Sequence, residues 1–201
     1  EDEKEPRLRN MAQQLHSFTR HGIYRKYFDG PNSLDYKNNL VVLELDHLKG
    51  KKHLQQVVLL QLIAQLNNEF YLGDRRVPKI LLVDEAWEAF EDPMVAKFLE
   101  GAFRRMRKAA AAPVVVTQSL RDLYNSASGE AIANNAANVI VLRQNGEAIE
   151  ALKESGRFNI GDYGYEMLKS LHTEPGQYSE VLFRSGTAWG VGRFVVDRFS
   201  Q

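Results

Sequence analysis

Apolar residues along this chain fall into short continuous runs separated by stretches of helical spacing. Four runs predict strands: LVVLEL (residues 40–45), KILLVD (79–84), PVVVTQ (113–118) and VIVLR (139–143). A half-exposed strand alternates apolar and polar residues. These do not, so they predict a mostly parallel sheet covered on both faces. Between them lie helical patterns. Residues 51–73 are apolar over much of the helix circumference, which predicts a well-buried helix ending near Gly73. Residues 92–110 form a second helical pattern, with Pro93 suited to a first turn. Residues 129–138 and 146–156 are shorter ones. Upstream, Leu8, Met11, Leu15 and Phe18 keep helical spacing up to a stop at Gly22, and Asp29-Gly30-Pro31-Asn32 signals a turn. Downstream, two β-rich runs flank Ser185-Gly186-Thr187, which predicts a hairpin.

The pattern therefore divides the chain into a helical segment, residues 1–34, and an α/β part, residues 35–201. Composition changes this picture little. Lys+Arg and Asp+Glu both number 26, so a strongly basic nucleic-acid footprint is absent at the level of the whole chain. There is no cysteine, hence no disulfide framework and no thiolate metal site. No apolar run approaches the roughly 20 residues that cross a bilayer. The chain begins with Glu1 rather than Met, which is expected of a piece of a longer polypeptide.

One strand ends unusually. KILLV runs directly into Asp84-Glu85. Two adjacent carboxylates at the mouth of a buried strand carry a solvation cost unless a cation meets them. In open α/β sheets ligands gather at the carboxyl ends of strands. An apolar strand followed by Asp-Glu is the Walker B pattern, in which the first acid holds Mg²⁺ through a water and the second orients or deprotonates an attacking water. A plainer reading has both acids capping the next helix. The next strand ends in Thr117-Gln118, where a polar side chain can sense the γ-phosphate. Between the two strands lie Arg104, Arg105, Arg107 and Lys108. Cations late in a helix suit its dipole; one of them acting across a subunit boundary would be an arginine finger. The phosphate cradle G-x-x-x-x-G-K-[ST] does not occur in the 201 residues.

Taken together, KILLVDEAW, FRRMRK, VVVTQSLRDLY, ANVIVLRQ and GQYSEVLFRSGTAWGVGRFVVDRFS resemble the C-terminal part of the TraC-like ATPases of type IV secretion and conjugation, over residues 35–201. The resemblance implies a partial RecA-like P-loop core, with residues 1–34 as the end of a helical insertion. It implies ATP and Mg²⁺ as cofactors, with Asp84 as the magnesium acid, Glu85 as the catalytic acid and Gln118 as the sensor. Arg107 is the best match to the arginine position, with Arg104 and Arg105 as fallbacks. It also implies a hexamer that works with other secretion components on the cytoplasmic side of the bacterial inner membrane. A DNA-translocating motor of the same fold and a docking module without chemistry remain alternatives. KAAAAP at residues 108–113 departs from the glycine or polar residues that relatives carry there.

Other features read more plainly. His47 and His53 flank a helix start and face solvent. Asp46 is a lesser candidate for the site. Trp87 reads as core or as an anchor for the helix after the acids, and Arg193 as a surface strand charge.

Overall fold

The computed structural model describes residues 4–31 and 38–197. They form two units, residues 1–59 and 60–201. The expected boundary at residues 34/35 and Asn32 of the expected turn lie outside the described residues.

In the first unit, α1 is Lys4–His16 and α2 is Arg25–Phe28. The apolar stripe of α1 is exposed, with Leu8, Met11 and Leu15 all uncovered. The helix stops at His16 rather than at Gly22. Thr19 returns its hydroxyl to the His16 carbonyl at 2.8 Å. Gly22 then passes so close to the same turn that a Cβ would stand 2.2 Å from the His16 oxygen. The glycine permits this close return. Phe18 packs edge-on against Phe28 and tilted against Tyr24.

Residues 40–45 are not a strand. Leu40 and Val42 are exposed, and no described strand pairs with this run. Strand propensity needs a partner ladder, and among the described residues this run has none. A single 3₁₀ turn, Asp46–Leu48, precedes α3, Lys52–Asn67. The helix pattern predicted to Gly73 continues as a π-helical turn, Asn68–Leu72, with Gly73 as its cap. It is less buried than expected: Leu54, Leu62 and Phe70 are buried, whereas Leu60 and Leu72 are exposed.

The second unit begins within α3, and its first strand is β1, Lys79–Val83, followed by α4, Ala86–Phe90, and α5, Pro93–Arg105. Asp92 starts α5 by accepting the backbone N–H groups of Met94 and Val95 at 2.9 and 3.3 Å, with Pro93 in the first turn. A 3₁₀ segment, Met106–Ala109, ends at Ala110, whose φ of 53° lies in the left-handed region. The chain then enters β2, Ala111–Val115, parallel to β1 with Lys79 opposite Ala111 and Val83 opposite Val115. Ala102, Met106, Ala111 and Phe70 form the core beneath this pair, with Leu81 packed against it.

Next come α6, Leu120–Tyr124, and α7, Ala127–Asn135, then β3, Asn138–Leu142, α8, Gly146–Ser155, and α9, Gly161–Ser170. The chain closes with β4, Thr173–Glu174, β5, Tyr178–Ser185, and β6, Ala188–Phe194. β5 is the hub of an antiparallel sheet. It pairs with β3 and β4, and with β6 through the predicted hairpin at Gly186-Thr187. A second core, including Leu120, Tyr124, Val141, Ile149, Leu168 and Leu182, joins this sheet to α6, α8 and α9. Lys153–Asp162 at 2.8 Å and Lys169–Glu150 at 2.7 Å tie α8 to α9.

The α/β class, the parallel pair and the C-terminal hairpin are borne out. Two further details differ from expectation. β3 pairs antiparallel with β5 instead of extending the parallel pair, so the strands form two sheets. Cover is also one-sided. Burial alternates along β1 and β2, and Ile80 and Leu82 are 71% and 60% exposed. Val114, Val116, Ile140 and Leu142 are exposed as well. Apolar side chains on both faces of a strand report two surfaces suited to burial, and the described residues cover one of them.

Candidate active site

The ends of β1 and β2 are locked together by backbone. Val116 N–H donates to the Val83 carbonyl at 2.9 Å, and Ala86 N–H donates to the Val116 carbonyl at 2.9 Å. Between these two bonds the chain must turn from β1 into α4. It does so through Glu85 at φ 49°, one of two non-glycine residues with positive φ among those described. Left-handed backbone costs an L-residue roughly 1–2 kcal/mol, and such strain gathers at functional sites. Glu85 N–H is satisfied by Asp84 Oδ1 at 2.9 Å.

The Glu85 carboxylate receives a donor on each oxygen. Gln118 Nε2 donates to Oε1 at 3.0 Å, and Trp87 Nε1 donates to Oε2 at 2.6 Å. Gln118 comes from the loop after β2 and Trp87 from the first turn of α4. The loop is itself held. Asp122 accepts the Thr117 hydroxyl at 3.0 Å and Ser119 N–H at 3.2 Å, and Ser119 Oγ accepts Arg121 N–H at 3.1 Å. This capping box starts α6 and leaves Gln118 free to reach across to Glu85.

Asp84 is exposed and forms no ion pair among the described residues. No group of three or more His, Cys, Asp or Glu side chains gathers there or elsewhere among those residues. Asp84 could lend a carboxylate to Mg²⁺, an ion commonly held by one or two carboxylates and completed by water and phosphate oxygens. The site is an exposed edge. A groove of about 590 Å³, lined by Tyr71, Arg75, Arg105 and Lys108 among others, lies away from it beside the 3₁₀ segment.

Of the four residues singled out by sequence, Asp84, Glu85 and Gln118 come together. Arg107 does not: it lies in the 3₁₀ segment that precedes β2, at the opposite end of that strand. Its guanidinium has no hydrogen bond or ion pair among the described residues. The fallbacks are engaged. Arg104 pairs with Glu100 at 2.8 Å, and Arg105 folds back on the Gly101 carbonyl at 3.4 Å and near the Tyr71 ring. Asp46 belongs to the first unit and pairs with Lys49 at 3.0 Å. His47 and His53 are exposed. Arg193 lies over the Tyr178 ring at 4.2 Å and pairs with Glu180 at 3.3 Å, a cross-strand role.

Two contributions were not read from the sequence. Trp87 is 38% exposed and is neither core nor plain anchor. The Ser119–Asp122 cap has a local signature, Ser-x-x-Asp just ahead of an apolar position, which marks a helix start.

A protein-family model described as the TraG P-loop domain matches residues 2–182. The chain belongs to the TraG P-loop domain family. Protein TraC of Escherichia coli K12 is 30% identical over 159 residues, covering 76% of this chain and 18% of TraC. The solved structure of VirB4 of Thermoanaerobacter pseudethanolicus superposes with a TM-score of 0.66 at 20% identity, over 98% of this chain and 51% of that one. That likeness establishes the fold. The resemblance to TraC-like proteins seen in the sequence is borne out, and the chain spans 18% of the curated relative's length. Within the TraG P-loop family frame, the paired strand ends carrying Asp84, Glu85 and Gln118 are the natural place to look for chemistry.

Proposed function

We propose that this chain is the C-terminal part of the ATPase domain of a type IV secretion or conjugation motor, supplying the hydrolytic half of its nucleotide site. The observation that carries the reading is the 3.0 Å hydrogen bond from Gln118 to Glu85 across the ends of two parallel strands. Membership of the TraG P-loop family and the similarity to TraC support it. The phosphate cradle is then supplied by a preceding segment of a longer protein.

The roles assigned in this reading are as follows. Asp84 keeps an oxygen for the first hydration shell of Mg²⁺, which supplies charge neutralisation to the phosphates when bound. Glu85, held on both oxygens, would accept a proton from an attacking water. Gln118 touches Glu85 and would stand beside the same water once nucleotide is bound, there to report whether the γ-phosphate is in place. Arg107, set apart from these groups and unpaired, is offered to a neighbouring subunit in a hexamer as an arginine finger. The work done is assembly of the secretion channel or pilus, with other secretion components, on the cytoplasmic side of the inner membrane. No helix among the described residues is long and apolar enough to cross a membrane, which is compatible with peripheral attachment.

The test is a phosphate-release assay on the longer protein. Glu85→Gln should abolish turnover while retaining bound ATP, and Asp84→Ala should lose the magnesium dependence of binding. Full turnover in Glu85→Gln overturns the assignment.

A further inference from the structure

We infer that Trp87 is a positioning residue for Glu85, acting through its indole N–H; the inference rests on the catalytic reading of Glu85 given above. Three observations carry it. The Trp87 Nε1 to Glu85 Oε2 distance of 2.6 Å is short, as hydrogen bonds to ionised acceptors are. The ring is 38% exposed and belongs to neither buried core cluster, so packing does not account for a tryptophan here. The two donors to the carboxylate also come from different elements. Gln118 approaches from the loop after β2, and Trp87 from the first turn of α4.

A carboxylate held at one oxygen still pivots about that bond. Holding both oxygens from separate directions fixes its plane and therefore the direction of its lone pairs. That is what a general base needs, because a misplacement of about 1 Å costs on the order of a hundredfold in rate. The left-handed backbone of Glu85 turns the side chain toward the start of α4, where a donor two residues on can reach it. Gln118 is the donor that a phosphate or its water can compete for. Trp87 lies on the helix side, so Glu85 keeps one anchor when Gln118 turns away.

The experiment has two arms. In the 201-residue chain, the indole ¹⁵N–¹H resonance of Trp87, identified by its loss in Trp87→Phe, should move on Glu85→Ala and stay in place on Arg107→Ala, at the far end of β2. A resonance indifferent to Glu85→Ala overturns the contact. In the longer protein, Trp87→Phe keeps an aromatic ring, smaller than indole, and removes the N–H. Turnover should fall about ten- to a hundredfold, with KM for ATP and thermal stability unchanged. If Glu85→Gln is inactive but Trp87→Phe turns over at the unaltered rate, the positioning role falls and the catalytic reading stands. If Glu85→Gln is fully active, the catalytic reading itself falls, and the resonance arm still decides the contact.

Discussion

Ala110 holds a conformation that its side chain opposes, with no function to explain it. Its φ of 53° turns the chain out of the 3₁₀ segment and into β2, and its carbonyl accepts Lys79 N–H at 3.0 Å as the first rung to β1. Left-handed backbone costs alanine about 1–2 kcal/mol and glycine almost nothing. Glycine has more freedom to lose on folding, which returns about 0.5–1 kcal/mol to the unfolded chain. Ala110→Gly should therefore stabilise the protein by about 0.5–1 kcal/mol net. For a chain of this size that raises Tm by about 1–4 °C. The side chain is exposed, so no packing is lost. Differential scanning calorimetry measures the shift. Ala112→Gly is the control: its residue lies in extended β2, and the same substitution there should destabilise by about 0.5–1 kcal/mol. A lower Tm for Ala110→Gly, or equal effects at the two positions, would refute the reasoning.

Three further outcomes follow from the same structure. Arg107→Ala in the longer protein should leave ATP binding nearly intact and reduce turnover about a thousandfold or more; parallel loss of binding and turnover, measured by calorimetric titration and phosphate release, would make Arg107 structural. The 201-residue chain alone should bind Mg-ATP far more weakly than the longer protein, because its acids repel polyphosphate and lack the backbone donors and lysine of a cradle; micromolar binding by titration calorimetry would place the phosphate site elsewhere. Hydrogen bonds from Lys169 and Lys153 hold Glu150 and Asp162 below the usual carboxylate range. Depressed carboxylates contribute stability above their ordinary pKa and lose it as pH falls through the folded value. The Lys153→Met/Lys169→Met variant should therefore show a shallower loss of Tm on acidification, with the difference from the parent vanishing at the acid end.

Much of this was legible in the pattern of residues, for identifiable reasons. KILLV and PVVV needed only local apolar content to be recognised as strands. Asp84, Glu85 and Gln118 stood at their tips, and parallel pairing of adjacent strands brought the three together. LVVLEL looked equally strand-like, yet a strand exists only through its partner, which local sequence does not reveal. The antiparallel pairing of β3 with β5 was hidden for the same reason, since Asn138 and Ser185 are far apart in the chain. The α9 helix escaped notice because Gly161 and Gly164 weaken its pattern. Gly164 is there for contact, since a Cβ would stand 2.7 Å from that of Ile160. Trp87 was misread because an aromatic residue beside a strand end signals burial before it signals an N–H.

The division of strands into two sheets has a kinetic side. β5 is hydrogen-bonded on both edges and backed by Leu182, which is fully buried. β1 has one paired edge, five rungs and an uncovered apolar face. Amide protons exchange through local openings whose cost tracks buried contacts, so those of β1 and β2 should exchange well before those of β5. Asp84, Glu85 and Gln118 thus ride on the readily opened part of the second unit. A ligand gripped by these side chains adds its binding free energy to that opening, slowing exchange in β1 and β2 while leaving β5 at its intrinsic pace.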